Sequence, residues 1–340
     1  MKAQEVRIKD AVGLPLAYDL TEIVPGQRKG AVLRRGHLIQ EEDLSVLARI
    51  GKSWVLVLEL EPGEVHEDEA AVRLAGLIAG PGVGVSQPGE AWADVRASGA
   101  GLLKVDTARL QQINAVGELL VATRHNSDAV RAGELVAKAK VVGLTVAERR
   151  LTEAAKIAAP GPIVQVRPYR SLRAAIIVTG REVYEGRVKD AFGPLLTSRL
   201  EEYGSSAAEV RIIPDEAPII AGTVREALSH GMELVLVTGG MSPDDSTPEG
   251  IRQSGAKVEF YGMPVSPGAM TLVAYAGVTP VMGVPAGLLT RGRGIFDVVL
   301  PRLLAGERLE AGEVARYGHG GLCWACPTCT YPMCPFGKGI

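Results

Sequence analysis

The residues with the most chemical content lie at 234–249, LVLVTGGMSPDDSTPE, where a Val/Leu run meets a glycine pair and then two adjacent acids, Asp244 and Asp245. A short apolar run bounded by Gly reads as a buried parallel strand. Gly239 and Gly240 let the backbone turn sharply and present its N–H groups to an anion. Thr247 is expected to cap a helix, with Pro248 at its first position and Glu249 in its first turn. Such a helix start attracts phosphate. Carboxylates beside a phosphate repel it unless a cation bridges them, so Asp244 and Asp245 make sense mainly with Mg²⁺ present. Taken alone, a glycine pair after a strand is more often a tight turn with a solvated acid pair. A second segment shifts the balance: AAIIVTG at 174–180 is another apolar strand ending in Thr-Gly. Two such strand ends flank one crevice in an open α/β sheet.

The other chemical cluster is the tail, GGLCWACPTCTYPMCPFGKGI. All four cysteines of the chain, Cys323, Cys326, Cys329 and Cys334, fall within its last eighteen residues. Cysteines serving the core would be scattered among the apolar elements. A Cys-x-x-Cys-x-x-Cys-x-x-x-x-Cys-Pro run instead supplies four thiolates around one point and approaches the ferredoxin pattern of an iron–sulfur cluster. Its last interval is one residue longer than the bacterial ferredoxin run, so a tetrahedral four-thiolate zinc site stays open. Disulfides or free thiols complete the alternatives. His319 is a further donor, though a glycine-flanked surface His is more often simply solvated.

The segment from Val178, VTGREVYEGRVKDAFGPLLTSRLEEYG, followed by VTGGMSPDDSTPEG and by GVPAG at 283–287, resembles the molybdopterin-binding domain. That domain is shared by molybdopterin adenylyltransferases, molybdopterin molybdotransferases and the competence-damage-inducible proteins. The resemblance covers about residues 171–310. It implies a three-layer α/β/α domain with a mostly parallel sheet and a late step of molybdenum-cofactor synthesis: Mg-ATP-dependent activation of molybdopterin by adenylylation, or insertion of molybdate. It implies further that Thr179, Gly180, Asp190, Thr238, Gly239, Gly240 and Ser242 line the pterin-phosphate pocket. Thr247, Glu249, Gly283, Pro285 and Gly287 complete it, and Asp244 or Asp245 holds Mg²⁺ or orients the nucleotide as the catalytic carboxylate. Ala191-Phe192 stand where the family often places Asn after its first Asp, and Val-Pro-Ala-Gly replaces the usual Leu-Pro-Gly. The DDST run is closer to the adenylyltransferase and competence-damage forms than to the molybdotransferase form. Members with this pocket commonly dimerise or trimerise, which leaves a homo-oligomer open.

Composition bounds the rest. A chain of 340 residues suggests two or three domains. A formal net charge of −2 without any basic run argues against a nucleic-acid partner, which needs clustered Lys/Arg. The opening MKAQEVRIKDAVG lacks the apolar core of a signal peptide, and no stretch reaches the roughly 18 uninterrupted apolar residues of a membrane span. A cytoplasmic location is expected, which disfavours disulfides and favours metal at the cysteines. The 46% hydrophobic residues with 4% aromatics suit helices packed tightly on a parallel sheet.

The elements that must position these groups follow a βα alternation. Strands are expected at AAIIVTG, AAEVRII and MELVLVTGG, helices over about 192–203 and from Asp215 to His230. Further strands follow at KVEFYGMPV, TLVAYAG and TPVMGVP, and a last helix broken near Pro301. Ahead of them, residues 1–64 read as a small module with a Pro25-Gly26 turn, a helix over 41–50 ended by Gly51 and a strand at 54–58. This module resembles the β-clip, or SAF-like, modules and the opening of molybdotransferase chains. Arg28, Lys29, Arg34, Arg35 and His37 form its basic patch, which would receive an anion unless it is merely a solvated face. Residues 65–169 read as an α+β portion, 170–312 as the pterin domain and 313–340 as the metal-binding tail. His125, Asn126 and Asp128 fall where a turn with polar caps is the commoner outcome. Two rival functions stay open: a non-catalytic molybdenum-cofactor carrier or sensor that reports through the cysteines, and a nucleotide pyrophosphatase-like enzyme.

Overall fold

The computed structural model describes residues 2–24, 28–87, 91–291 and 293–339, so the expected Pro25-Gly26 turn lies outside the described residues. The chain divides into two compact units. One comprises Met1–Ser98, Val105–Arg124 and Gly133–Gln165, the other Gly99–Lys104, His125–Ala132 and Val166–Ile340.

In the first unit, strand Lys2–Arg7 pairs antiparallel with Trp54–Glu59, and Leu20–Val24 with Arg28–Leu33. Leu16, Leu20, Ile39, Leu47 and Val55 close a small core between them. The helix Asp43–Arg49 stops before Gly51, whose φ of +75° is the left-handed turn that glycine reaches without strain. The basic patch is partly neutralised: Arg35 pairs with Asp68 at 3.4 Å and His37 with Asp43 at 2.6 Å. Burial alone would raise the Asp43 carboxyl, but hydrogen bonds from His37 and the Gln40 N–H bring it below the usual carboxylate range. The helix Glu67–Ile78 buries Ala70, Ala71, Leu74, Ala75 and Ile78. It lies against Leu135–Val141 of a four-stranded antiparallel sheet.

His66 begins that helix. Its ring is 1% exposed, Nε2 donates to the Ala17 carbonyl at 2.8 Å and Nδ1 accepts from the Asp68 N–H at 3.2 Å. This arrangement uses one neutral tautomer. Burial, reinforced by the positive charge of Arg35, lowers the His66 pKa. A His whose folded pKa lies below its unfolded 6.5 takes up its proton more readily in the unfolded chain. Its contribution is therefore complete above about pH 6.5 and lost as pH falls through the folded value. Thermal melts of wild type between pH 7.5 and 5.5 are expected to fall more steeply than those of His66→Gln. Parallel pH profiles would remove His66 from the account.

The second unit carries a six-stranded sheet built from β1 (Arg173–Thr179), β2 (Ser206–Ile213), β3 (Leu234–Thr238), β4 (Lys257–Tyr261), β5 (Leu272–Ala276) and β6 (Thr279–Val284). Their spatial order is β2-β1-β3-β6-β5-β4. The pairings β2/β1, β1/β3 and β3/β6 are parallel, and β5 runs antiparallel between β6 and β4. The sheet is thus mixed, with its parallel part toward β2. Residues 174–179 and 234–238 are buried throughout, which is what a strand covered on both faces requires.

The longer helices are α1 (Phe192–Glu202), α2 (Ala217–Ser229), α3 (Ser246–Gln253) and α4 (Ile295–Leu304). Alternate strand residues choose between them. Ala174, Ile176, Val178, Leu236 and Met282 meet Leu196 and Leu200 of α1 and Val299 and Leu303 of α4. Ala175, Ile177, Val235, Val237 and Val281 meet Ile220 and Val224 of α2 and Ile251 of α3. Two apolar layers on one sheet make the three-layer α/β/α architecture. Among the described residues no helix is long and apolar enough to cross a membrane.

One expectation needs correction. The last helix is not broken at Pro301 but runs through it. Pro301 has no N–H for the carbonyl of Asp297 four residues earlier, and the Tyr331 hydroxyl donates to that carbonyl instead, at 3.1 Å. A tail side chain therefore satisfies the group that proline leaves unpaired.

Candidate functional site at the carboxyl ends of β1 and β3

From β1 the chain passes to α1 on one face of the sheet, and it reaches β3 by way of α2 on the other. The two neighbouring strands β1 and β3 thus end at the topological switch point, where open α/β sheets bind ligands. At that end the backbones are pressed together. Gly239 has φ +139°, and a Cβ on it would stand 1.9 Å from Thr179 Oγ1. Only glycine fits this crossing. Thr179 is buried, and its hydroxyl shares a hydrogen bond of 3.1 Å with that of Thr247.

The structure seats Thr247 differently from expectation. Asp245 is the N-cap of α3, with Ser246, Thr247 and Pro248 as its first three helical residues. Thr247 is not the cap because its hydroxyl is already shared with Thr179. Pro248 is tolerated in the first turn, where its missing N–H has no intrahelical partner to lose. The two acids also differ. The Asp245 carboxylate accepts from the Ser242 N–H at 2.7 Å, and a Cβ on Gly240 would meet that carboxylate at 2.3 Å. Asp245 thus occupies one of the loop's own donors, whereas Asp244 is exposed to solvent.

At the end of β3, Thr238 is fully buried, and among the described residues no partner lies within hydrogen-bond reach of its Oγ1. An unsatisfied buried hydroxyl costs about 1–3 kcal/mol.

The remaining expected residues disperse. The Asp190 carboxylate accepts from the N–H groups of Phe192 and Gly193 at 2.8 and 3.0 Å and so starts α1. Gly193 makes this approach feasible, since its Cβ would stand 2.3 Å from Asp190 Oδ2. Gly180, at φ +146°, begins the short helix Arg181–Tyr184. Glu249 lies on the exposed face of α3, bonded to Gln253 at 3.0 Å. Gly283 sits inside β6 beneath Met241, where a Cβ would meet Met241 Cε at 2.4 Å. Pro285 and Gly287 line a small separate cavity with Gly268, Gly294, Ile295 and Phe296. The sequence reading missed Met241, whose carbonyl accepts from the Tyr261 hydroxyl at 2.6 Å, and it missed the Thr179–Thr247 link. Only the shared Thr type of these two residues hinted at that link.

The geometry defines a doubly wound α/β domain with a glycine-built turn at its switch point. Residues 175–305 match the family described as a probable molybdopterin binding domain. Residues 5–59 match a domain of unknown function (DUF8806). A CinA-like protein of Mycobacterium avium (strain 104) is 42% identical over 81 residues, 23% of this chain and 19% of that protein. A CinA-like protein of Mycobacterium tuberculosis (strain ATCC 25618 / H37Rv) is 40% identical over 81 residues, with the same coverage. The chain spans about a fifth of the length of these curated relatives. Among solved structures, the molybdopterin biosynthesis enzyme MoaB of Thermus thermophilus shares 22% identity over 40% of this chain and 98% of its own, with a TM-score of 0.34. The molybdopterin biosynthesis MoeA protein of Pyrococcus horikoshii shares 15% over 89% and 74%, with a TM-score of 0.35.

Proposed function

We propose that the protein binds molybdopterin at the carboxyl ends of β1 and β3 and acts in molybdenum-cofactor synthesis by Mg-ATP-dependent activation of the pterin. The observation that carries this reading is the buried, unpartnered hydroxyl of Thr238 at the switch point of a domain that matches this family. A polar group kept dry and unpaired is a standing cost, and a ligand that reaches it when the Gly239-Gly240 turn adjusts recovers that cost. The residues fit a phosphorylated substrate. Gly239 and Gly240 strip side chains from the loop, Thr238 offers a hydroxyl, and the exposed Asp244 is the carboxylate available to a metal.

Asp244 would hold Mg²⁺, which would supply positive charge against the charge that builds up during phosphoryl transfer. Asp245 holds the loop through Ser242 instead of binding the ion. The protein's own part in the step is to position phosphate and nucleotide in a fixed, side-chain-free turn.

The test mixes the protein with molybdopterin, with and without MgATP, and follows pterin fluorescence and pyrophosphate release. Binding with pyrophosphate release is expected. Binding alone would leave the carrier or sensor role or molybdate insertion, and absence of binding would overturn the reading in favour of a nucleotide hydrolase.

Two substitutions sharpen it. Thr238→Val keeps shape and removes the orphan hydroxyl, so stability is expected to hold or rise slightly while pterin affinity falls about tenfold, or ~1.4 kcal/mol. A variant that loses stability and keeps affinity would assign Thr238 to packing. Asp244→Asn is expected to leave pterin binding intact and slow MgATP turnover on the order of 100-fold. Asp245→Asn, by contrast, should loosen the loop and weaken pterin binding itself.

A further inference from the structure

The tail has an unusual construction. From His319 to Gly339 it contains neither helix nor strand, only the isolated bridge of Leu322 to Ser266. It buries little apolar surface of its own beyond Phe336. So short an irregular segment rarely holds its shape without disulfides or metal. No disulfide joins the four cysteines, and all four line a single cavity of about 280 Å³ with Arg293, Trp324, Thr330 and Phe336.

The walls of that cavity are anchored. The Cys323 N–H donates to the Ser266 carbonyl and the Ser266 N–H to the Gly321 carbonyl, each at 2.8 Å. Tyr331 reaches the Asp297 carbonyl, and Lys338 pairs with Asp128. Cys323 and Cys334 pack against the core beneath α4, while Cys326 and Cys329 face solvent. Between the first two thiols, Ala325 adopts a φ of +54°, and its N–H donates to Cys323 Sγ at 3.4 Å. A non-glycine residue in that region is held there by its surroundings.

We propose that Cys323, Cys326, Cys329 and Cys334 hold one 4Fe–4S cluster in this cavity. The Cys-x-x-Cys-x-x-Cys spacing closed by Cys334-Pro335 favours a cluster over a mononuclear site. Four thiolates on one zinc, each at ~2.3 Å, stand about 3.8 Å from one another. Among the described residues no three His, Cys, Asp or Glu side chains converge in the way a single ion requires. A cubane gives each cysteine its own iron corner, so the sulfurs surround a volume and need not meet at a point. One cavity lined by all four cysteines is what such a ligand set requires. Arg293 also lines the cavity, its guanidinium held by Asp297 at 2.7 Å and Glu202 at 3.3 Å, and the Ala325 N–H directed at a ligating sulfur is a contact that tunes such clusters. Loading from a preassembled core is a ligand exchange without redox change. Four iron–thiolate bonds to small carrier thiols break, four bonds to cysteine sulfurs form, and each cysteine proton passes to a released carrier thiolate.

The experiment incubates the full chain anaerobically with a synthetic 4Fe–4S cluster carrying small thiolate ligands, and separately with Zn²⁺. The expected result is a brown protein holding about four iron and four acid-labile sulfide per chain. Cys326→Ser should lose this chromophore, and because Cys326 is exposed its melting temperature as apoprotein should match wild type. One tightly held Zn²⁺ per chain that blocks cluster transfer would overturn the proposal. So would iron uptake that is equal in wild type and Cys326→Ser, or no uptake of either metal. None of these readouts depends on pterin binding.

Discussion

Gly239→Ala is expected to destabilise the second unit by about 2–6 kcal/mol and to abolish pterin binding with it. Two costs add. At φ +139° an L-residue is strained by roughly 1–3 kcal/mol. The added Cβ must also displace Thr179 Oγ1 from 1.9 Å and crowd the Thr179 carbonyl at 3.1 Å, and overpacking of this kind costs about 1–3 kcal/mol more. Neither partner can swing away, because Thr179 is buried and its hydroxyl is shared with Thr247. Against a total stability of ~5–15 kcal/mol the loss is large. Gly255→Ala is the control: its φ of +91° carries the backbone strain, but nothing lies within 4 Å of the new Cβ. Chemical denaturation should separate the two variants by the steric part alone. Equal stability of the two would mean that the β1 and β3 ends are not pressed together at this crossing.

The same crossing shows what sequence carries and what it omits. The Thr-Gly and Thr-Gly-Gly endings of two apolar runs were enough to place both strands, and the uninterrupted apolar stretches at 174–178 and 234–237 announced a sheet covered on both faces. Local signals also placed Gly51 after its helix. What stayed hidden depends on pairs distant in the chain. Thr247 looks like a cap until Thr179, sixty-eight residues earlier, is seen to hold its hydroxyl. Asp244 and Asp245 look equivalent until Gly240 and the Ser242 N–H claim one of them. Pro301 looks like a break until Tyr331 supplies the missing donor. Glu249 and Gly283 matched a pattern by type, yet one lies on a solvated helix face and the other beneath Met241. Propensity and period report a residue's own preferences, whereas these outcomes were set by which group from elsewhere arrived at its side chain.

Arg302→Met carries the other large effect, an expected loss of about 3–5 kcal/mol. Arg302 is 1% exposed, and no sequence pattern marks it as buried. Its guanidinium meets Glu307 at 2.6 Å, Glu313, and the buried Tyr317 hydroxyl at 3.1 Å. Removing it leaves the Glu307 carboxylate, itself 8% exposed, with only Lys104 at 2.7 Å and Arg167 at 3.4 Å, and leaves the Tyr317 hydroxyl unpaired. Burial alone would raise the Glu307 carboxyl, but Lys104 and Arg302 hold it below its ordinary 4.5. The folded pKa being the lower one, the pairing contributes fully above about pH 4.5 and is lost as pH falls through the folded value. Wild type should therefore weaken on acidification below that point, whereas Arg302→Met should start weaker and show a shallower acid slope. The double variant Arg302→Met/Glu307→Gln removes the stranded charge and is expected to regain part of the loss. If it proved additive with the single changes, the arginine would be acting through its packing and not through its charge, because independent sites add and coupled ones do not.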